Sequence, residues 1–160
     1  MSGSAARPLL LALETATAEA SVALLRGGEL VDEVAAAPGP AAATLLPAID
    51  RLLERSGVAL AAIDAFAVSV GPGSFTSLRV GIATVKGLAF GAAQPVVPVS
   101  TLAALALAAG PTHESVVPLL DARRGELYAA AYAGGDVGAV SLAEGVYGIE
   151  ALCERIAQPC

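Results

Sequence analysis

The sequence predicts an α/β fold in which one arrangement of strands and helices begins a second time. Along residues 1–110, the spacing of apolar residues predicts three strands, a helix, a strand, a helix, a strand and a final helix, in that order. A strand, an acidic residue, a turn and a second strand occupy residues 10–25 and recur over residues 117–132. Because these turns are too short for a crossover helix, the strands pair as hairpins. We therefore expect a first lobe over residues 1–110 and a second, incomplete lobe over 111–160.

Short apolar runs bounded by turn residues mark the strands. Those of the first lobe are residues 8–14, 20–25, 30–35, 63–70 and 96–99. A helical stripe predicts a helix over residues 41–56, which Gly57 ends and within which Pro47 marks the first turn or a kink. A second helix over 76–91 takes Ser74 or Thr76 as its cap, and a third over 101–109 takes Ser100. In the second lobe we expect strands at 116–120, 126–132 and, weakly, 137–142, then a helix at 149–157.

Composition excludes several classes of function. The chain is 56% hydrophobic with a mean hydropathy of +0.71, but its longest uncharged stretch, residues 87–112, contains Pro95 and Pro98. Two such prolines would break a membrane-spanning helix. The apolar run at residues 8–13 is too short for a signal peptide, so we expect a cytoplasmic protein. The net charge of −6 and the absence of a basic run argue against direct binding to nucleic acid.

Catalytic and metal-binding residue types are sparse. His113 is the only histidine, and the cysteines Cys153 and Cys160 have no metal or disulfide spacing. The sequence therefore predicts no metal site and no catalytic residue. A cluster of Asp121, Arg123, Arg124 and Glu126 forms either a polar site or a solvated hairpin tip.

The stretch "VGPGSFTSLRVG" turns a strand into a helix. It lacks the lysine of a Walker A loop, but free N–H groups at a helix N-terminus favour an anion. The candidate anion or nucleotide turn consists of Gly71, Gly73, Ser74, Thr76 and Arg79. The alternative is a tight turn whose glycines permit positive φ.

The helix after this turn carries an unusual number of small residues. Its stripe contains Ser77, Gly81, Thr84, Leu88 and Gly91, with Gly87 beside it. Each glycine inside a helix costs about 1 kcal/mol relative to alanine, so close approach of another backbone is expected. That backbone belongs either to the same chain or to a partner's helix.

Three stretches together resemble the bacterial TsaB (YeaZ) family. They are "LALETATAEASVALL", then "DAFAVSVGPGSFTSLRVGIATVKGLAFG" with "PVVPVSTLAALA", and "PLLDARRGELYAAAY". The resemblance implies a duplicated actin-like fold (ASKHA, ribonuclease H-like). Nucleotide-binding lobes of that fold have a Gly/Thr hairpin at the position of "LETATAEA", where this chain has Ala16 and Ala18. Two Gly/Thr turns leave a nucleotide-binding ATPase of the same fold as the alternative function.

The resemblance also implies a role and a surface. Family members act in making threonylcarbamoyladenosine in tRNA, as non-catalytic scaffolds or activators that bind TsaD, with TsaE joining them. They contact tRNA only indirectly and can pair with themselves through the same helices. We expect no cofactor for this chain by itself, and ATP or ADP with Mg only at an interface shared with partners. The implied partner interface is Leu45, Ile49, Ser77, Val80, Gly81, Thr84, Gly87, Leu88 and Gly91. The family's usual His-Ser or His-Thr start of the first helix is here Pro40-Ala41-Ala42-Ala43, and Ser77 stands where glycine is common.

Overall fold

The structure, a computed structural model, describes residues 7–110 and 114–157. It divides into two compact units. The first comprises Met1–Val70 and Ser74–Val99, and the second comprises Gly71–Gly73 and Ser100–Cys160.

A five-stranded sheet forms the centre of the first unit. Its strands are β1 (Leu9–Glu14), β2 (Ser21–Arg26), β3 (Glu29–Ala35), β4 (Ala65–Gly71) and β5 (Val96–Ser100), in the order β3-β2-β1-β4-β5. β1 pairs antiparallel with β2 and parallel with β4, so the hairpins expected from the short turns are confirmed. β1 and β2 alternate between buried and partly exposed residues, as strands with one face on a core do.

Two helices accompany this sheet. α1 (Ala41–Ser56) begins after Pro40, runs through Pro47, and ends at Gly57, whose φ of 63° is the left-handed conformation that glycine favours. α2 (Phe75–Ala92) begins at Ser74, whose hydroxyl accepts a hydrogen bond from the Ser77 N–H. Of the two predicted caps, Ser74 is therefore the one used.

The core of the first unit lies between the sheet and the helices. α1 packs against β2, β3 and α2, and α2 packs against β1. The largest side chains of this core are Leu11, Leu24, Leu45, Leu52, Ile63 and Phe66, all with relative exposures of 1% or less. Burial of this size is the main source of stability for such a unit.

The second unit contains a three-stranded antiparallel sheet and two helices. They are α3 (Thr101–Ala108), β6 (Leu119–Arg123), β7 (Glu126–Tyr132), β8 (Val140–Gly148) and α4 (Ile149–Ala157), with the strands in the order β6-β7-β8. α3 lies within the predicted first lobe but packs here on β7, where Leu102 and Ala106 meet Ala130 and Tyr132. The predicted boundary between the lobes, after residue 110, is not tested by this contact and stays a prediction.

Two strand predictions in this unit need correction. The first strand begins at Leu119 instead of residue 116, because Val116 makes only an isolated bridge to Tyr132. The third strand is longer than expected and ends at Gly148, because it pairs with β7 along nearly its whole length. Along the described residues, no helix is long and apolar enough to cross a membrane.

Candidate functional site

The turn between β1 and β2 is attached to β4 and to the start of α2. The Thr15 N–H donates to Oγ of Ser69 at 3.2 Å. The Ser74 N–H donates to the carbonyl oxygen of Ala16 at 2.8 Å. Since one end of the turn is held by a buried strand and the other by a helix cap, the turn has a fixed position in the first unit.

The β1–β2 turn explains why residue 81 is a glycine. A methyl group on Gly81 would lie 2.3 Å from Oγ1 of Thr15 and 3.1 Å from its Cγ2. Thr15 is fully buried, and its Oγ1 has no hydrogen-bond partner among the described residues. The close approach predicted for this glycine is therefore one within the same chain. Gly81 is itself buried, so it does not belong to an exposed partner surface.

The turn at residues 71–74 uses its glycines for backbone conformation. Gly71 and Gly73 have φ values of 117° and 157°, which side-chain-bearing residues rarely adopt. Thr76 and Arg79 are exposed, and the Arg79 guanidinium lies over the ring of Phe75 at 5.3 Å from its centroid. The tight-turn interpretation accounts for both glycines, and an anion role for this stretch stays a prediction.

A cavity of about 380 Å³ opens beside the β1–β2 turn. Its walls come from that turn, from the loop between β3 and α1, and from the first turns of α1 and α2. Hydroxyl groups of Thr15, Thr17, Thr44 and Ser77 lie among alanines and prolines. Of the described residues that line the cavity, only Glu19 is charged.

This arrangement does not fit a nucleotide phosphate. Backbone N–H groups of a hairpin turn bind phosphate only when they are free, and the Ala16 N–H donates instead to Oε1 of Glu14. Among the described residues, neither lysine nor arginine lines the cavity, while Glu19 adds negative charge. Since the Ala16 N–H is engaged and the one charge among the described lining residues is negative, these residues offer a phosphate group little to bind, and the expectation that this chain holds no nucleotide by itself stays a prediction.

The predicted partner residues fall into two groups. Leu45 and Ile49 have relative exposures of 1% and 2% and lie in the core. Their inclusion in the partner interface was wrong, because a helical stripe that faces the sheet cannot also face a partner. Ser77, Val80, Thr84 and Leu88 are at least partly exposed, and Val80 and Leu88 also pack against the core.

A stripe of exposed and partly exposed residues runs along α2. Val80, Thr84, Gly87 and Gly91 are spaced four, three and four residues apart, so they lie along one side of the helix. Gly87 and Gly91 are exposed, and a methyl group added to either would meet nothing within 4 Å. We call these four residues the small-residue stripe.

Exposed aromatic rings near this stripe were not predicted. Phe90 has a relative exposure of 90% and Phe75 one of 73%. Isolated exposed apolar residues are ordinary, but two phenylalanines at the two ends of one helix are large apolar groups left in water. The sequence signal was their position outside the core stripe of Leu78, Ile82, Val85 and Ala89.

Metal-ligand residues are dispersed in the part of the chain that the structure describes. No group of three or more His, Cys, Asp or Glu side chains occurs there that could hold a metal ion. Cys153 is exposed, while His113 and Cys160 lie outside the described residues.

The β6–β7 hairpin closes on its own backbone. Oδ1 of Asp121 accepts a hydrogen bond from the Arg123 N–H at 2.7 Å, and Arg123 and Arg124 have φ values of 68° and 56°. Asp121, Arg123, Arg124 and Glu126 are all exposed, as a solvated hairpin tip requires.

A polar cluster ties α3 to β7 and β8 in the second unit. The hydroxyl of Tyr132 donates to Oε1 of Glu144 at 2.9 Å, and the hydroxyl of Ser100 donates to the same oxygen. Oγ of Ser100 also accepts from the Ala103 N–H at 3.2 Å and so caps α3. Burial, together with the hydrogen bond to the Glu144 carboxylate and its charge, raises the pKa of Tyr132 to about 12.

This raised pKa predicts a loss of stability in strong alkali. Because the folded state holds the Tyr132 proton more tightly than the unfolded chain, its contribution is full below pH 10 and is lost as the pH rises toward 12. Urea unfolding of Tyr132→Phe at several pH values should show a flatter decline of the unfolding free energy over this window. Tyr147→Phe, which removes a hydroxyl bonded to the Ala143 carbonyl, is the matched control and should keep the wild-type decline. Equal slopes for wild type and Tyr132→Phe would contradict the assignment.

Comparisons with known proteins agree with this geometry. The family model described as TsaD, tRNA N6-adenosine threonylcarbamoyltransferase, matches residues 35–150. The tRNA threonylcarbamoyladenosine biosynthesis proteins TsaB of Haemophilus influenzae and Escherichia coli are 48% and 41% identical over 121 and 127 residues. These matches cover 74% and 77% of this chain, and 51% and 54% of the two relatives. The solved structure of YeaZ from Pseudomonas aeruginosa is 41% identical with a TM-score of 0.79, covering 96% of this chain and 71% of that one.

Sheet order, hairpin turn and structural neighbour together define an actin-like α/β protein of the ASKHA class. Within that class, the chain belongs to the TsaB (YeaZ) family. It spans about half the length of the curated relatives it matches.

Proposed function

We propose that the chain is a non-catalytic scaffold or activator subunit in the threonylcarbamoylation of tRNA adenosine, and that it binds a TsaD-type transferase together with TsaE. Family membership supports the pathway, because the two curated relatives are named as biosynthesis proteins for this modification. The partners are those that the family resemblance implies.

The exposed small-residue stripe on α2 is the observation that carries the binding role. Two helices approach to about 8–10 Å when the residues between them are small, because their backbones then come into contact. Gly87 and Gly91 weaken an isolated helix, yet no neighbour within the described structure requires them. A partner helix seated on the stripe would account for both, and in its absence a second copy of the chain would use the same surface.

Three further observations support a subunit that leaves chemistry and RNA contact to its partner. The described residues contain no cluster of metal ligands, and the turn at Ala16 has its N–H group already bonded. A net charge of −6 opposes binding to RNA phosphates. We place the complex in the cytoplasm, where tRNA modification by such a subunit would occur.

The direct experiment is size-exclusion chromatography with light scattering, on the chain alone and mixed with the TsaD of the same organism. We expect a one-to-one complex at micromolar concentration. Elution of the two proteins as separate peaks, each with its own mass, would sink the proposal.

Because the residues around the β1–β2 turn offer a phosphate group little to bind, we expect that the isolated chain does not bind nucleotide. Calorimetric titration with millimolar ATP and Mg²⁺ should give only the heat of dilution. Saturable heat with one-to-one stoichiometry would instead favour the ATPase alternative. The same titration should be made with Glu14→Gln. This change replaces the carboxylate that accepts the Ala16 N–H and so removes negative charge from the turn.

A further inference from the structure

One side of α2 exposes two aromatic rings and two cations. Its four exposed residues, at intervals of four, seven and four along the helix, are Phe75, Arg79, Lys86 and Phe90. These intervals place the four side chains along one line of the helix, which we call the aromatic–basic face. It lies about a third of a turn around α2 from the small-residue stripe, so the two surfaces are separate.

The cations of the aromatic–basic face have no anionic partner among the described residues. Neither Arg79 nor Lys86 takes part in an ion pair there, and the Arg79 guanidinium lies over the ring of Phe75. All fifteen acidic residues of the chain lie outside residues 65–112, within which these two are the only charged ones. Aromatic and arginine side chains are enriched in protein interfaces, so this face suits a partner surface that is both apolar and acidic.

The chain itself carries a surface of this complementary kind on α4. Ile149 and Ile156 are exposed although they are apolar, and Glu150 and Glu154 are exposed on the same helix. Within the described residues, neither carboxylate takes part in an ion pair. We call these four residues the acidic apolar face.

We propose that the aromatic–basic face of one chain docks the acidic apolar face of a second copy of the same chain. Neither face is covered within a single chain, since Phe90 has a relative exposure of 90% and Ile149 one of 62%. A two-fold axis would make the contact twice and so double the apolar area that leaves water. The inference does not rest on the binding of TsaD.

The dimensions of the two helices suit this pairing. α4 is about 13 Å long and fits between Phe75 and Phe90, which are about 22 Å apart along α2. Arg79 and Lys86 are about 10 Å apart along their helix, and the two carboxylates of α4 are about 6 Å apart along theirs. Long arginine and lysine side chains span the difference, so each cation can meet one carboxylate while the isoleucines contact the rings.

Sedimentation velocity of the chain alone, with two charge-reversed variants, tests the pairing. We expect the wild type to form a dimer with a dissociation constant of about 10–100 μM, as a small interface with exposed ion pairs gives. Arg79→Glu/Lys86→Glu should remain monomeric at about 100 μM, and so should Glu150→Lys/Glu154→Lys, because each places like charges opposite one another. An equimolar mixture of the two variants should dimerise again, since both contacts of the mixed dimer then join opposite charges. Phe90→Ser should weaken the wild-type dimer at both about 50 mM and about 500 mM salt, because its contribution is apolar.

Asp50→Lys/Glu54→Lys is the matched control. It reverses two exposed carboxylates four residues apart on α1, outside both faces, and should not restore dimerisation when mixed with Arg79→Glu/Lys86→Glu. A wild-type chain that stays monomeric up to about 300 μM would overturn the inference, as would a mixture of the two charge-reversed variants that stays monomeric. Self-association that Gly87→Leu abolishes and the charge reversals leave unchanged would place the second copy on the small-residue stripe and would also overturn it. None of these outcomes bears on the one-to-one complex with TsaD, which is measured separately.

Discussion

Gly81→Ala is expected to destabilise the first unit by about 1–3 kcal/mol, the usual cost of overpacking a filled interior. The new methyl group would lie 2.3 Å from Oγ1 and 3.2 Å from Cβ of Thr15, well inside van der Waals contact. Thr15 has little freedom to move away. Its side chain is buried and β-branched, and its backbone N–H is bonded to Ser69.

Urea unfolding of a double-mutant cycle isolates this contact. Thr15→Ala should by itself cost about 1 kcal/mol, because it removes the buried Cγ2 methyl group, while the hydroxyl that it also removes has no hydrogen-bond partner among the described residues. In Gly81→Ala/Thr15→Ala the nearest Thr15 atom left is Cβ at 3.2 Å, so most of the lost stability should return. A strongly negative coupling energy is the expected outcome.

Gly87→Ala is the control within the same helix. A methyl group there meets nothing within 4 Å, so the change should stabilise the chain by about 0.5–1 kcal/mol through helix propensity alone. If Gly81→Ala behaved like Gly87→Ala, the packing of α2 on the β1–β2 turn would be wrong.

Much of the fold follows from pattern alone. α1 and β7 begin and end at the predicted residues, because a change of apolar period and a glycine or charged turn mark their limits. The sequence predicted Ser74 or Thr76 as the residue that caps the start of α2, since the side-chain hydroxyl of serine or threonine can accept a hydrogen bond from the first N–H groups of a helix. Local chemistry decides each of these features.

The direction in which a helix face points depends on the rest of the molecule. α2 is apolar or small nearly all round, so its period does not separate a side on the sheet from a side in water. Gly81 and Gly87 are the same residue type six positions apart, and only the fold places Thr15 against one and nothing against the other. Leu45 and Ile49 were misplaced for a different reason, because α1 has one clear apolar stripe and that stripe is buried in the core.

The polar cluster of the second unit could not be predicted from the sequence either. Ser100, Tyr132 and Glu144 are distant in sequence and lie on three different elements. No spacing rule connects them, because their proximity follows from the packing of α3 on β7 and from the pairing of β7 with β8.

Gly87→Leu is expected to abolish the complex with TsaD while leaving the chain folded. The leucine side chain would extend from the small-residue stripe into the space that a partner helix needs, and a clash at a close helix–helix contact weakens binding by about a hundredfold or more. In the free chain the added Cβ meets no atom within 4 Å, and leucine is a better helix former than glycine. The melting temperature should therefore stay the same or rise.

Opposite effects on stability and binding make this variant decisive. Light scattering of mixtures with TsaD should show one-to-one complex for wild type and separate species for Gly87→Leu. Gly148→Leu, at the end of β8 and with no atom within 4 Å of the added Cβ, is the matched control and should bind as wild type does. Undiminished binding by Gly87→Leu would move the partner to another surface, whereas a lowered melting temperature would mean that this face of α2 is covered within the chain itself.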